Sequence, residues 1–169
     1  MGTAAAPSTR RTLPNSDTGI TMASNSSTGS GRCTLLADTS SGAPLLFAGL
    51  SEERKVVCYN LVTKEKIQDY IGHTLTVSCI AVSMRHRLVC SGSSDSTVRV
   101  YKMSSGRQLR KYNHGDVVTT MILAGNVLVT GSVDTTIIGS DVASGKSLFN
   151  IKDHNGSVEA LSCNDDGTY

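Results

Sequence analysis

From residue 77 to residue 112 the chain alternates short apolar runs with small polar breaks. Residues 77–83 are apolar and small, 88–91 are apolar, 97–101 carry β-branched side chains, and 108–112 alternate. Between them lie Arg85-His86-Arg87, Gly92-Ser93-Ser94-Asp95-Ser96 and Ser104-Ser105-Gly106. Gly, Ser and Asp suit tight turns because they tolerate unusual backbone angles or hydrogen-bond the turn backbone themselves. The pattern predicts four strands joined by hairpins. In the first two strands apolar residues follow one another directly, so both faces need cover, which a stack of sheets supplies.

The unit recurs. His73 returns as His114 and His154, at steps of 41 and 40 residues, while Gly92, Asp95, Thr97 and Gly106 return as Gly131, Asp134, Thr136 and Gly145, each at a step of 39. A shorter turn at Ala124-Gly125, in place of residues 83–87, reconciles the two spacings. Upstream, residues 45–49 (LLFAG) copy 88–92 (LVCSG) and Tyr59 takes the place of Tyr101, in a weaker copy without the leading Gly-His. Downstream, residues 158–163 copy the first strand at 117–123, and 164–169 read as the hairpin leading to a second. A period of about 40 residues marks a repeat architecture.

A four-stranded unit of this length, opened by Gly72-His73 and carrying Ile80-Ala81-Val82, the run 88–101 and the Ser105-Gly106 turn, resembles the WD-repeat family. The next copy carries the resemblance through residues 128–137, Asp141 and Ser144-Gly145. The implied fold is all-β, built of β-propeller blades of four antiparallel strands, with about three blades plus a truncated fourth, a fragment of a disc of about seven. Blades are expected at 33–71, 72–112 and 113–152, with an incomplete one at 153–169. The family's tetrad of leading His, strand Ser or Thr, turn Asp and aromatic falls on His73, Ser91, Asp95 and Tyr101, and in the next blade on His114, Thr130 and Asp134. Ser140 stands where the aromatic belongs, and the chain has no Trp, so the third blade is expected to be looser. An imidazole pinned between carboxylate and hydroxyl satisfies buried groups that would otherwise cost about 1 to 3 kcal/mol each.

With 38% hydrophobic and 18% charged residues, the chain has a globular composition. Its formal charge of +2 is spread unevenly: Arg85, Arg87, Arg99, Lys102, Arg107, Arg110 and Lys111 face Asp95 alone within residues 72–112. Such cations either keep edge strands from pairing with other sheets or engage an acidic, phosphorylated or nucleic-acid partner through Arg107, Arg110 and Lys111. Residues 1–32, rich in Ser, Thr and Gly, are expected to form a disordered tail. Five cysteines without a C-x-x-C pair, and no signal peptide or membrane-spanning apolar run, point to an intracellular setting, cytoplasmic or nuclear, and to no membrane partner.

Chemistry finds little foothold in this pattern. The histidines recur once per blade, so their repetition belongs to the architecture and no catalytic residue is assigned. The Gly92 turn lies between two strands and offers a phosphate no helix N-terminus. No acid pair flanks any histidine, so neither metal nor cofactor is expected. The resemblance implies a non-catalytic scaffold that mediates protein–protein interactions within a larger complex. Thr74, Thr76, Ser94, Asp116 and Val133 would line one rim, with Arg107, Arg110 and Lys111 on an outer strand. Further C-terminal sequence or another chain would complete the propeller. The alternatives are the substrate-receptor part of a ubiquitin ligase, reading a phosphorylated motif through Arg85, Arg87 and Arg99, and an RNA-associated assembly factor.

Overall fold

Each apolar run becomes a strand that pairs with the next run in the sequence, because turns this short leave a chain little else to do than double back. The computed structural model describes residues 44–163, together with the backbone of two strands further upstream. Strands β1 (Thr21–Ala23), β2 (Thr34–Asp38), β3 (Leu45–Leu50), β4 (Lys55–Asn60) and β5 (Lys66–Tyr70) form one antiparallel sheet in chain order. A second sheet holds β6 (Val77–Ser83), β7 (Leu88–Ser93), β8 (Thr97–Lys102) and β9 (Gln108–Asn113). The third holds β10 (Val118–Ala124), β11 (Val127–Ser132), β12 (Ile137–Asp141) and β13 (Ser147–Ile151). These sheets are blades 1, 2 and 3 of a partial propeller. No helix occurs among the described residues.

Irregularities in the ladders repeat from blade to blade. The register shifts between Val77 and Cys79 and again between Val118 and Thr120, and in the outer pairs at Cys58/Tyr59, Val100/Tyr101 and Gly139/Ser140. A bulge adds right-handed twist locally, which gives each sheet the pitch of a propeller blade.

Successive apolar residues in β6 divide between two interfaces. Ile80 and Val82 join Phe47, Val56 and Tyr70 of blade 1 in one buried cluster, while Cys79 and Ala81 join Val118, Met121 and Leu128 of blade 3 in another. Tyr101 faces blade 1 and Val98 and Val100 face blade 3 in the same way. Each fully buried side chain of this size is worth about 1.5 to 3 kcal/mol. The buried thiols of Cys79 and Cys90, pushed up to about 12 by burial, are inert members of this core.

The blades interlock through a glycine. A Cβ at Gly92 would stand 2.6 Å from Val118 Cγ1, and one at Gly131 would stand 2.6 Å from Val158 Cγ1; at Gly49 the facing atom is Val77 Cγ1, at 3.1 Å. Each second strand thus opens a notch for a valine at the head of the following unit. A repeated side-chain bond accompanies it: the Ser78 hydroxyl donates to the Val118 carbonyl, and the Thr119 hydroxyl donates to the Val158 carbonyl.

Two expectations meet a different outcome. No strand forms at residues 158–163, although Val158 is buried and its amide donates to the Ser132 carbonyl at 3.0 Å. A strand needs a hydrogen-bonded neighbour along its length, and no described segment runs beside this one. In the N-terminal stretch, β1 pairs with β2 through Thr21, Met22 and Ala23, inside residues expected to be disordered. The rest of residues 1–32, Cys33 and the hairpin expected at 164–169 lie outside the described residues.

Candidate functional site

The polar centre of blade 2 grows out of one turn. Ser93, at the end of β7, accepts the Asp95 amide at 3.1 Å and donates toward the Thr76 carbonyl at 2.8 Å. Asp95 in turn accepts the Thr97 amide at 3.0 Å, while Ser96 between them takes a left-handed φ of 62°. The turn thereby aims the Asp95 carboxylate back across the sheet at His73, whose Nδ1 lies 3.0 Å from Oδ2. Because a carboxylate only accepts, Nδ1 carries the proton and Nε2 accepts from the Ser91 hydroxyl at 2.8 Å. Thr97 adds a second clamp, its hydroxyl 2.5 Å from Asp95 Oδ1 and 3.3 Å from His73 Nδ1.

Burial alone would raise the Asp95 pKa, but hydrogen bonds from Thr97, the Thr74 amide and His73 outweigh it and hold the carboxyl at about 2. Burial lowers the His73 pKa further than its pairing with Asp95 raises it, so the imidazole stays neutral. Tyr101 packs edge-on against Tyr70 of blade 1, with centroids 5.7 Å apart, and its buried hydroxyl interacts with the Ser91 side chain.

Blade 3 repeats the turn with a slacker centre. Ser132 accepts the Asp134 amide, Asp134 accepts the Thr136 amide, and Thr135 holds φ at 71°. His114 Nδ1 stands 3.5 Å from Asp134 Oδ2 and bonds Thr136 Oγ1 at 3.1 Å instead, while Nε2 lies 2.9 Å from Thr130 Oγ1. Ser140 is buried in the aromatic's place. The threonines Thr97 and Thr136 did not figure among the sequence candidates, although their recurrence at the repeat's own step of 39 residues was the signal that could have found them.

In composition and spacing, Ser91, His73 and Asp95 match a hydrolytic triad. Ser91 is fully buried between strands, however, so no substrate reaches its hydroxyl. Among the described residues no cluster of His, Cys, Asp and Glu could hold a metal ion.

The partner-contact candidates separate onto two ends of the blades. Antiparallel order places the turns inside β3–β4, β7–β8 and β11–β12, with the links between blades, at one end, here called the linker end. The turns inside β4–β5, β6–β7, β8–β9, β10–β11 and β12–β13 lie at the opposite, hairpin end. Thr74, Thr76, Ser94, Asp116 and Val133 are at the linker end, with Thr74, Asp116 and Val133 exposed. Arg107 is exposed at the hairpin end and Lys111 is exposed within β9. Arg110 is half-buried, and its guanidinium donates to the Val142 carbonyl at 3.2 Å and to the Ala143 carbonyl. It clamps blade 2 to blade 3. Arg99 is half-buried and donates to the side chain of exposed Gln108 within its own blade.

Solved and curated proteins carry the same pattern. The profile of the WD40 family, described as WD domain, G-beta repeat, matches residues 64–102. The solved WD40 repeats of RRP9 superpose with a TM-score of 0.62 at 17% identity, over 67% of this chain and 36% of that one. Residues 64–102 of this chain are a WD repeat. Among curated WD-repeat relatives, Mitochondrial division protein 1 of Candida glabrata is 31% identical over 104 residues, which are 55% of this chain and 15% of the relative. The U3 small nucleolar RNA-associated protein 15 homolog of Xenopus tropicalis is 28% identical over 132 residues, 76% of this chain and 25% of the relative. The chain therefore spans a quarter or less of the length of these two relatives. The matched WD repeat begins beside β5 of blade 1 and ends at the last residue of β8, so the sequence repeat is offset from the structural blade and ties neighbouring sheets together.

Proposed function

We infer that this chain is a non-catalytic WD-repeat scaffold that docks proteins or peptides within a larger intracellular assembly, cytoplasmic or nuclear. The observation that carries this reading is how the polar groups are spent: the His, Ser or Thr, and Asp side chains of blades 2 and 3 bond one another inside the sheets, while Thr74, Asp116 and Val133 remain exposed at the linker end. What is buried holds the blade together, and what is exposed is free to meet a partner. The notch at Gly131, filled by Val158, supports completion of the disc by a further blade from the same or another polypeptide. The test is chemical crosslinking and mass spectrometry of the full chain in cells, comparing it with Val133→Arg combined with Asp116→Arg. Loss of specific protein partners is the expected result; an unchanged partner set would exclude the linker end as the docking rim.

A second reading, an RNA-associated assembly role, draws support from the U3-associated relative and from exposed Arg107 and Lys111. Here the partners would be recovered only while RNA is intact. Recovery unchanged by ribonuclease would remove this reading and leave the first.

A further inference from the structure

The formal charge of +2 conceals a polarity between the two ends of the blades. The turns of the hairpin end carry Lys64, Arg85, Arg87, Arg107 and Lys146 against a single carboxylate, Glu65. All five cations are exposed, and none has a side-chain ion pair or hydrogen bond among the described residues. Lys102, at the end of β8, adds another exposed cation, while Asp141, at the end of β12, is occupied by the Ser144 amide and hydroxyl. The linker end carries the opposite balance, with Glu52, Glu53, Asp95, Asp116, Asp134 and Asp153 against Arg54 and Lys152.

The cations follow the repeat. Arg107 and Lys146 hold one position in the outer turns of blades 2 and 3, where their carbonyls accept the amides of Lys102 and Asp141. Lys64 sits one residue from that position in blade 1, where the Glu65 carbonyl accepts the Asn60 amide. Apolar side chains accompany them. Leu61 (42% exposed) and Val62 (68%) project from the blade 1 turn, and Ile67 (52%), Leu109 (37%) and Leu148 (50%) are the second residues of β5, β9 and β13. Charge and apolar surface thus run together along one corner of three blades.

We propose that this corner at the hairpin end docks an acidic segment of a partner protein in which apolar side chains are interspersed. The proposal rests on the scaffold reading above and assigns it a second surface. Exposed leucine, isoleucine and valine give a hydrated phosphodiester backbone nothing, these turns hold no Phe, Tyr or Trp to stack a base, and their one imidazole, His86, is half-buried and engaged with Asn126 Oδ1 at 2.9 Å. A bilayer is flat, whereas the cations occupy turn tips and three of the apolar residues lie on the outermost strands; an extended chain follows such a corner. Opposite charge at this end and like charge at the other would also orient the segment.

The test is fluorescence anisotropy with the full chain and a labelled peptide alternating Glu and Leu, beside labelled duplex RNA and phosphatidylserine vesicles. The peptide is expected to bind, to weaken with added salt, and to lose about tenfold or more in affinity in the triple variant Arg85→Glu, Arg107→Glu, Lys146→Glu. The corresponding Gln variant, which introduces no repulsion, should lose less. Leu61→Ser with Val62→Ser should weaken binding of the Glu-Leu peptide and leave a Glu-Ser peptide unaffected. Equal binding of the peptide by parent and triple variant, or binding of RNA or vesicles without the peptide, overturns the proposal. If that happens while crosslinked partners are still lost on changing Val133 and Asp116, the hairpin-end surface is wrong and the scaffold reading stands. If those partners are also unaffected, both fall.

Discussion

Blades 2 and 3 share a strand order, a turn and a histidine, yet they differ in how much of each is enclosed. In blade 2, β7 is buried throughout and β6 at all but one position, because blades 1 and 3 cover its two faces. In blade 3, β10 is buried only at Val118, Met121 and Ala124, and Ile122, Ile137 and Ile138 are half-buried. The centres follow suit, with His–Asp separations of 3.0 and 3.5 Å. The turn is made from local residues and is the same in both; the cover comes from neighbours and is not. A blade's order is therefore a property of its position in the stack as much as of its sequence.

The two interfaces also close differently. Between blades 1 and 2 the Tyr70 hydroxyl donates to the Met103 carbonyl at 2.9 Å. Between blades 2 and 3 the corresponding Tyr112 hydroxyl has no hydrogen-bond partner among the described residues, and Arg110 takes the equivalent carbonyl of Val142. An arginine has replaced a phenol as the clasp, with a second carbonyl, Ala143, brought in.

The comparison breaks most sharply at the carboxylates. Asp95→Ala strips His73, Thr97 and the Thr74 amide of one shared acceptor and should cost on the order of 3 kcal/mol, read as a fall in the urea midpoint. Asp134→Ala should cost visibly less, because its contact with His114 is the longer one, at 3.5 Å against 3.0 Å. Equal losses would mean that the shorter His–Asp contact in blade 2 contributes nothing, and an unchanged midpoint for Asp95→Ala would end the tetrad assignment. Next comes overpacking: Gly92→Ala should cost about 2 kcal/mol, since its neighbours Val118 and Cys79 are themselves wedged between sheets. Gly131→Ala meets Val158, which no strand pairing holds, and should cost under about 1 kcal/mol; the reverse order would show the notches to be unequal in the other sense.

Arg110→Met keeps most of the side chain's apolar length but leaves two carbonyls unbonded, and should lower the thermal midpoint by the equivalent of about 1 kcal/mol. Gln68→Met, at the matching position of blade 1, should have a smaller effect, because the Gln68 amide bonds the neighbouring Asp69 carbonyl of its own strand and clamps no second blade among the described residues. The smallest effect expected is on pH dependence. Burial holds His73 and His114 below their ordinary value of 6.5, so below that pH the unfolded chain takes up protons that the folded chain refuses, and stability declines as pH falls. Asp95 and Asp134, held at about 2, contribute stability that is complete above about 3.8 and lost as pH falls toward 2. Acid titration of the urea midpoint should show two descending steps. In His73→Gln the upper step should shrink, and a full-sized step there would assign it to other groups.

Whatever repeats locally could be read from the sequence. The Gly-Ser-x-Asp turn carries its own hydrogen-bond instructions, so Asp95 and Asp134 point at histidines named by the same spacing. What depends on contact between distant residues could not. Arg110 occupies the position of Gln68, and nothing in either residue type says that a carbonyl pair on the next blade awaits it. Residues 158–163 have a strand's composition but no strand beside them. The three residues of β1 are too few to show a period, and they are strands only because β2 offers an edge. Tyr101 was identifiable as the aromatic of the unit, though not as one packed edge-on against Tyr70 of the blade before it.

The glycine notches set how the fold comes apart. Each admits one valine from the unit that follows, so the stack is coupled link by link, as a chain of nearest neighbours. In such a chain, opening begins at the least covered sheet and stops wherever a link holds. Amide hydrogens of β13 should exchange through shallow local fluctuations, and those of β6 and β7 only through near-global ones. Filling the notch at Gly92 would cut the array in its middle, turning one cooperative melting unit into two that report separate midpoints.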